Sequence, residues 1–213
     1  DALIFLGLPM RMNGKLYNVA AASNHGNILG FVPKTHIPNY NEFYEQRHFA
    51  SGADVWTDVT VGEEGVPFAS KLIFSCEGLP ELTVGAEICE DLWVPAPESA
   101  RLAAAGATVI ANCSASPEAA GKPAHRRTLL RAASARGLCG YVYANAGPDE
   151  STARAVFSAH HLIAENGAIL AEHAPFAPEP GLLVTELVYY YVNLSFVLPV
   201  VVGVMFTLLH ALI

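Results

Sequence analysis

The segment Leu82-Thr83-Val84-Gly85-Ala86-Glu87-Ile88-Cys89-Glu90-Asp91-Leu92-Trp93 runs an apolar stretch straight into a thiol followed by two carboxylates. Leu82 to Ile88 reads as a short strand, so Cys89 stands where a strand ends and a loop begins. Downstream, Ser99 to Gly106 is an alanine-rich helix ended by Gly106 before a strand from Thr108 to Asn112. Pro123 to Arg136 is a basic helix closed by Gly137, followed by a strand from Cys139 to Asn145. Phe157 to Ala164 and Ala168 to Glu172 meet at Glu165-Asn166-Gly167, an Asn-Gly hairpin signal. Upstream, Ala2 to Leu8 reads as a buried strand. The apolar runs as far as Val32 are broken at Met12-Asn13-Gly14 and Asn24-His25-Gly26-Asn27, which predicts two or three strands joined by tight turns. Lys34 to Phe49, polar and aromatic beside Pro33 and Pro38, reads as a loop with a helical turn around Asn41 to Arg47. Alternating strands and helices with hairpins at both ends predict an α/β chain whose helices cover a mixed sheet.

With 213 residues the chain is long enough for one substantial domain. Twelve Lys and Arg against 20 Asp and Glu give a net charge of −8, and no basic run is available to displace counterions from phosphates. This composition argues against nucleic-acid binding and for small-molecule chemistry. Cys76, Cys89, Cys113 and Cys139 have neither the density of a disulfide scaffold nor zinc-site spacing, which predicts reduced thiols in the cytoplasm. The opening at Asp1, with no initiator methionine and no basic signal-peptide start, predicts that the natural N-terminus lies further upstream.

Leu187 to Ile213 is unlike the rest. It holds no charged residue, and only Asn193, Pro199 and His210 interrupt its apolar character. It is long enough to cross a bilayer, but no Lys or Arg cluster flanks it to orient such a span. The chain therefore divides into a unit over 1–180 and an apolar tail over 187–213. Three readings of the tail compete: non-native sequence from a frame shift or chimera, a transmembrane anchor, and a buried C-terminal helix. Membrane association follows only if the tail is a genuine anchor.

Glu87, Glu90 and Asp91 around Cys89 make an acidic setting that disfavours a thiolate, so a catalytic Cys89 needs a nearby cation. Lys34 follows Gly30-Phe31-Val32-Pro33 at a strand-to-loop junction of its own, and parallel neighbouring strands would bring the two junctions together. On residue types alone both readings stay open, because a cysteine at a strand end is more often a small buried hydrophobe and a lone lysine is more often solvated.

The words Gly30-Phe31-Val32-Pro33-Lys34, Pro38-Asn39-Tyr40-Asn41-Glu42-Phe43-Tyr44-Glu45 and Glu87-Ile88-Cys89-Glu90-Asp91-Leu92-Trp93 resemble the nitrilase-like (carbon-nitrogen hydrolase) glutaminase domain of glutamine-dependent NAD synthetases. So do Ala111-Asn112-Cys113-Ser114-Ala115-Ser116-Pro117, Ser134-Ala135-Arg136, Tyr141-Val142-Tyr143-Ala144-Asn145-Ala146-Gly147, Glu150-Ser151-Thr152 and Ile163-Ala164-Glu165-Asn166-Gly167. The resemblance runs from Ala2 to Phe176, in the family's order.

It implies a four-layer α-β-β-α sandwich, incomplete here, and oligomerisation through this domain. It also implies a Glu, Lys, Cys set that hydrolyses the side-chain amide of glutamine, with Lys34 and Cys89 as two of the three. The thiolate attacks the amide carbonyl, and Lys34 favours the thiolate and steadies the tetrahedral oxyanion with a backbone N–H after Cys89. Ammonia leaves, and water resolves the glutamyl thioester with a glutamate as base. Glu42 matches the further glutamate that orients the lysine. Tyr40 and Phe43 match the aromatic wall of the glutamine pocket, Glu90 the carboxylate for the substrate amino group, and Ser116 a pocket hydroxyl. The general-base glutamate lies upstream of the lysine in the family, and no glutamate precedes Glu42 here, so the isolated chain is expected to be inactive.

The family's Ser-Gly-Gly-x-Asp-Ser pyrophosphate loop has no counterpart, so no cofactor is expected in this domain. ATP and magnesium belong to an absent synthetase domain, the partner that would use the ammonia. Ala153-Arg154 and Ser158-Ala159 depart from the family pattern. The alternatives are a stand-alone carbon-nitrogen hydrolase acting on another amide or nitrile, and a non-catalytic remnant.

Overall fold

The computed structural model of this protein describes residues 2–150, 155–178, 182–188 and 197–202. The first three strands, β1 (Ile4–Met12), β2 (Lys15–Asn24) and β3 (Asn27–Pro33), form an antiparallel meander. Its turns carry the left-handed pairs Asn13-Gly14 and His25-Gly26, as does Asn166-Gly167 later in the chain. Two successive residues with positive φ give a turn whose twist matches that of paired strands, which is why Gly sits second in each.

Next come β4 (Trp56–Val61) and β5 (Glu64–Ala69), which complete a five-stranded sheet of order β1-β2-β3-β5-β4. The second sheet has six strands in the order β11-β10-β9-β8-β7-β6. It contains β6 (Ile73–Cys76), β7 (Leu79–Ile88), β8 (Val109–Ser114), β9 (Gly140–Asn145), β10 (His161–Glu165) and β11 (Ala168–His173). β7, β8 and β9 run parallel and the outer pairs antiparallel, so the sheet is mixed as expected. β1 is only half covered, not buried: Ile4, Pro9 and Arg11 are exposed and its other residues are partly covered.

The two sheets pack face to face. Ala20 and Val32 of the first meet Ala86 and Ile88 of the second, with Phe5, Phe74, Ala111 and Cys113 around them. Helices α1 (Glu98–Ala104) and α2 (Lys122–Gly137) cover the other face of the six-stranded sheet, where Leu102, Leu130, Tyr141 and Leu162 form a second core. The described residues thus make three layers of the expected four. The carboxyl ends of β3 and β7 belong to different sheets, and facing sheets, not neighbouring parallel strands, bring Lys34 and Cys89 together.

Gly137 does not supply the left-handed cap of α2. It stays helical, and Leu138 takes the left-handed conformation at φ 49°. A Cβ on Gly137 would stand 3.2 Å from Ala103 Cβ and 2.9 Å from Cys139 Sγ, so this glycine serves the close approach of α2 to α1.

From the 187–213 tail, Leu187 and Val188 end β12 (Leu183–Val188), which pairs antiparallel with β13 (Val197–Val202). Leu187 is fully buried with Val84, Val109 and Ile163. Residues 189–196 and 203–213 lie outside the described residues, as do Ser151 to Arg154. Among the described residues no helix is long and apolar enough to cross a membrane.

Candidate active site

Lys34 leaves the end of β3 with its side chain 1% exposed, and its backbone is fixed on both sides. Its N–H donates to the Asn18 carbonyl at 2.8 Å, and its carbonyl accepts from Gly52 N–H at 2.9 Å. The Nζ donates to Glu45 Oε2 at 2.7 Å. Burial alone would lower the pKa of Lys34, but Cys89, Glu45 and Asp91 together outweigh it, so the pKa is raised and the ammonium is held charged.

The carboxylate paired with Lys34 is thus that of Glu45, not that of Glu42. Glu45 opens a single 3-10 turn (Glu45–Arg47) that swings its carboxylate inward, whereas Glu42 is exposed.

Cys89 begins a 3-10 turn (Cys89–Leu92) directly after β7 and is half-buried, with φ of +46°. A left-handed conformation at a residue with a Cβ is strained, and the turn is held by polar contacts behind it. Cys89 N–H donates to Asn112 Oδ1 at 3.1 Å, and Ser114 Oγ donates to the same oxygen at 2.6 Å. Asn112 Nδ2 donates to Tyr141 Oη at 3.0 Å, and that hydroxyl donates in turn to Glu87. Burial pushes the thiol of Cys89 up while Lys34 pulls it down, and the net effect is upward. Burial also pushes Glu87 up, to about 7.

The other expected pocket residues divide into two groups. Tyr40, Phe43 and Glu90 come together: the Tyr40 hydroxyl donates to Glu90 Oε1 at 2.7 Å, and the Tyr40 and Phe43 rings meet edge to face with centroids 5.5 Å apart. Tyr40 and Glu90 also line a groove of about 780 Å³ with His36, Gln46, Phe49 and Val94, a groove that Cys89 and Lys34 do not line.

Ser116 is 2% exposed and tied into a separate buried network. Its N–H donates to Asn145 Oδ1 at 2.8 Å, its carbonyl accepts from Arg126 at 3.0 Å, and its hydroxyl lies 3.3 Å from Arg126 Nη2. Arg126 is fully buried and also pairs with Glu118 at 2.8 Å, a carboxylate that accepts as well from the Ser158 hydroxyl at 2.5 Å and from Ala119 N–H at 3.3 Å. Ser158 thus joins the network that seats the Ser116 loop.

Two contributors escaped the sequence reading. Asp91 is 1% exposed and accepts from Ile88 N–H at 3.0 Å, Thr35 Oγ1 at 2.6 Å and His36 N–H at 2.8 Å, joining the cysteine turn to the lysine loop. Lys122, at the start of α2, stands over the Trp93 ring at 5.3 Å. Burial lowers its pKa, and Cys89 and Glu42 act in the opposite sense. The basic character of Pro123 to Arg136 was the available signal for a cation at that helix. Among the described residues no cluster of His, Cys, Asp or Glu could hold a metal ion.

A family model described as carbon-nitrogen hydrolase matches residues 1–190. Over 174 residues the chain is 44% identical to the glutamine-dependent NAD(+) synthetase of Mycobacterium tuberculosis, covering 82% of this chain and 26% of that protein. Over 152 residues it is 31% identical to the glutamine-dependent NAD(+) synthetase of Aquifex aeolicus, covering 70% of this chain and 23% of that protein. The crystal structure of a glutamine-dependent NAD(+) synthetase from Cytophaga hutchinsonii superimposes with a TM-score of 0.73 at 31% identity, covering 83% of this chain and 28% of that one. The chain spans about a quarter of the length of these curated relatives.

Proposed function

Because this chain belongs to the carbon-nitrogen hydrolase family, we propose that it hydrolyses the side-chain amide of glutamine, with Cys89 as nucleophile and Lys34 as its cation. The observation that carries this reading is the buried Lys34 side chain, ion-paired with Glu45 at 2.7 Å and brought to Cys89 from the end of β3 in the facing sheet. An ammonium fixed beside a thiol favours the thiolate, and it also stabilises the oxyanion that forms when sulfur adds to the amide carbonyl. The C–N bond then breaks as the proton given up by the Cys89 thiol is delivered to the amide nitrogen, so that ammonia leaves and a glutamyl thioester remains on Cys89.

Glu90, paired with Tyr40, is the carboxylate for the substrate's amino group, and Phe43 extends the aromatic wall. Ser116 supports the pocket from its buried loop. Resolution of the thioester needs a base to activate water. Glu45 is engaged with Lys34 and Asp91 with the lysine loop, so neither is free for that task. The base for that step is assigned to a glutamate, as the family resemblance implies.

The ammonia serves a synthetase domain of the same polypeptide that makes NAD from its deamido precursor. ATP and magnesium act there, and the hydrolytic step needs no cofactor. Action in the cytoplasm as a homo-oligomer completes the reading.

The test is mass spectrometry of the chain after incubation with a glutamine-mimicking diazo-ketone, for the wild type, Cys89→Ala and Lys34→Ala. The expected result is one adduct on Cys89, weakened in Lys34→Ala. Adducts spread over all four cysteines, or none, would sink the reading.

A further inference from the structure

The two residues assigned to the chemistry sit on different sheets, so the spacing between them depends on whatever ties the loop after β3 to the turn after β7. Backbone pairing does not provide that tie, because β3 and β7 belong to separate ladders. The Asp91 carboxylate does reach both sides. On the cysteine side its Oδ2 accepts from Ile88 N–H at 3.0 Å. On the lysine side its Oδ1 accepts from Thr35 N–H at 3.2 Å, Thr35 Oγ1 at 2.6 Å, His36 N–H at 2.8 Å and His36 Nδ1 at 3.0 Å. Ile88 and Thr35 are the residues next to Cys89 and Lys34, so each bond fixes the backbone from which a reacting side chain departs.

We propose that Asp91 is a positioning residue whose buried carboxylate staples the Lys34 loop to the Cys89 turn and so sets the separation of ammonium and thiol. The proposal deepens the glutaminase reading and rests on it. The bonds are charge-assisted, and a buried carboxylate with this many donors is fixed more rigidly than a neutral acceptor. Misplacement of reacting groups by about 1 Å can cost a rate factor of roughly 100.

A competing role has the opposite signature. As a mere charge, Asp91 would oppose thiolate formation at Cys89, and neutralising it would move the thiol's ionisation to lower pH. As a staple, its neutralisation lets Lys34 drift from Cys89 and moves that ionisation to higher pH. The other titratable groups around this carboxylate are the same in both forms: Lys34 and His36 of the lysine loop and Glu87 of β7 interact with it directly, Glu45 lies beside Lys34, and Glu90 and Glu98 act on His36.

The experiment follows the rate of Cys89 adduct formation with the diazo-ketone from about pH 6 to about pH 9, in the full chain and its Asp91→Asn and Thr35→Val variants. Asn keeps the shape of Asp but turns one acceptor into a donor facing N–H groups. Asp91→Asn is expected to label roughly 10- to 100-fold more slowly, with its onset at higher pH and its unfolding still cooperative. Thr35→Val, which removes one donor and no charge, is expected to fall in between. A wild-type rate in Asp91→Asn, or an onset at lower pH, overturns the proposal. If Asp91→Asn does not unfold cooperatively, an unchanged rate in Thr35→Val overturns it. Should the wild type ignore the diazo-ketone, the glutamine reading fails, and iodoacetamide alkylation of Cys89 compared across the same variants still decides the staple.

Discussion

Lys34 Nζ donates to Glu45 Oε2 at 2.7 Å, while Glu42, three residues earlier in the same loop, points to solvent. The proposed orienting role for Lys34 accordingly passes to Glu45. Glu45→Gln is expected to slow Cys89 labelling by the diazo-ketone roughly tenfold, because the charge-assisted bond is replaced by a neutral one. Glu42→Ala should label at close to the wild-type rate. The comparison of the two rates checks the assignment, and a larger loss in Glu42→Ala would reverse it.

The difference between these glutamates shows where sequence reading ended. The strand that delivers Cys89, the strand that delivers Lys34 and the Asn-Gly turn at Asn166-Gly167 were legible because apolar runs and turn residues report local backbone conformation. Which carboxylate turns inward depends on one 3-10 turn, and the word match fixed only the loop. Asp91 was legible only as a negative charge beside a thiol, because its donors on the lysine loop come from 55 and 56 residues away. β4 to β6 escaped because Pro67 breaks the strand signal of β5 and β6 is short.

Glu87 gives a pH-dependent prediction. Burial raises its pKa from the ordinary 4.5 to about 7. Below pH 4.5 both folded and unfolded chains carry the proton. Between there and about 7 the folded chain keeps a proton that the unfolded chain has released, so this residue's contribution falls as pH rises. Glu87→Gln removes that titration. The stability difference between wild type and variant, from urea unfolding at several pH values, should shift against the wild type by at most about 3 kcal/mol across this window. A difference that stays level with pH would contradict the assignment.

Arg126 holds the Ser116 loop through the carbonyls of Ser116 and Pro117 and through Glu118, which is 11% exposed. Arg126→Met should destabilise the chain by about 3–5 kcal/mol, because it leaves a largely buried carboxylate without its cation. Adding Glu118→Gln should restore part of that loss, since the penalty comes chiefly from the stranded charge. Urea midpoints of the single and double variants measure both effects, and strict additivity would show that the pair does not act as a unit.

Leu187 begins the apolar tail in the sequence yet is fully buried against Val84, Val109 and Ile163. A Cβ on Gly140 would come within 2.6 Å of Leu187 Cδ1, so β9 leaves room for this side chain by having none of its own. The contact makes β12 part of the core of the six-stranded sheet rather than an appendage. Leu187→Ala should therefore cost about 2–5 kcal/mol of unfolding free energy, as large-to-small core changes do. Leu182→Ala, at a residue 63% exposed just before the strand, should stay within about 0.5 kcal/mol of the wild type. Equal and negligible effects in denaturant unfolding would mean that Leu187 is not docked, and the division of the chain at that residue would then mark a true boundary.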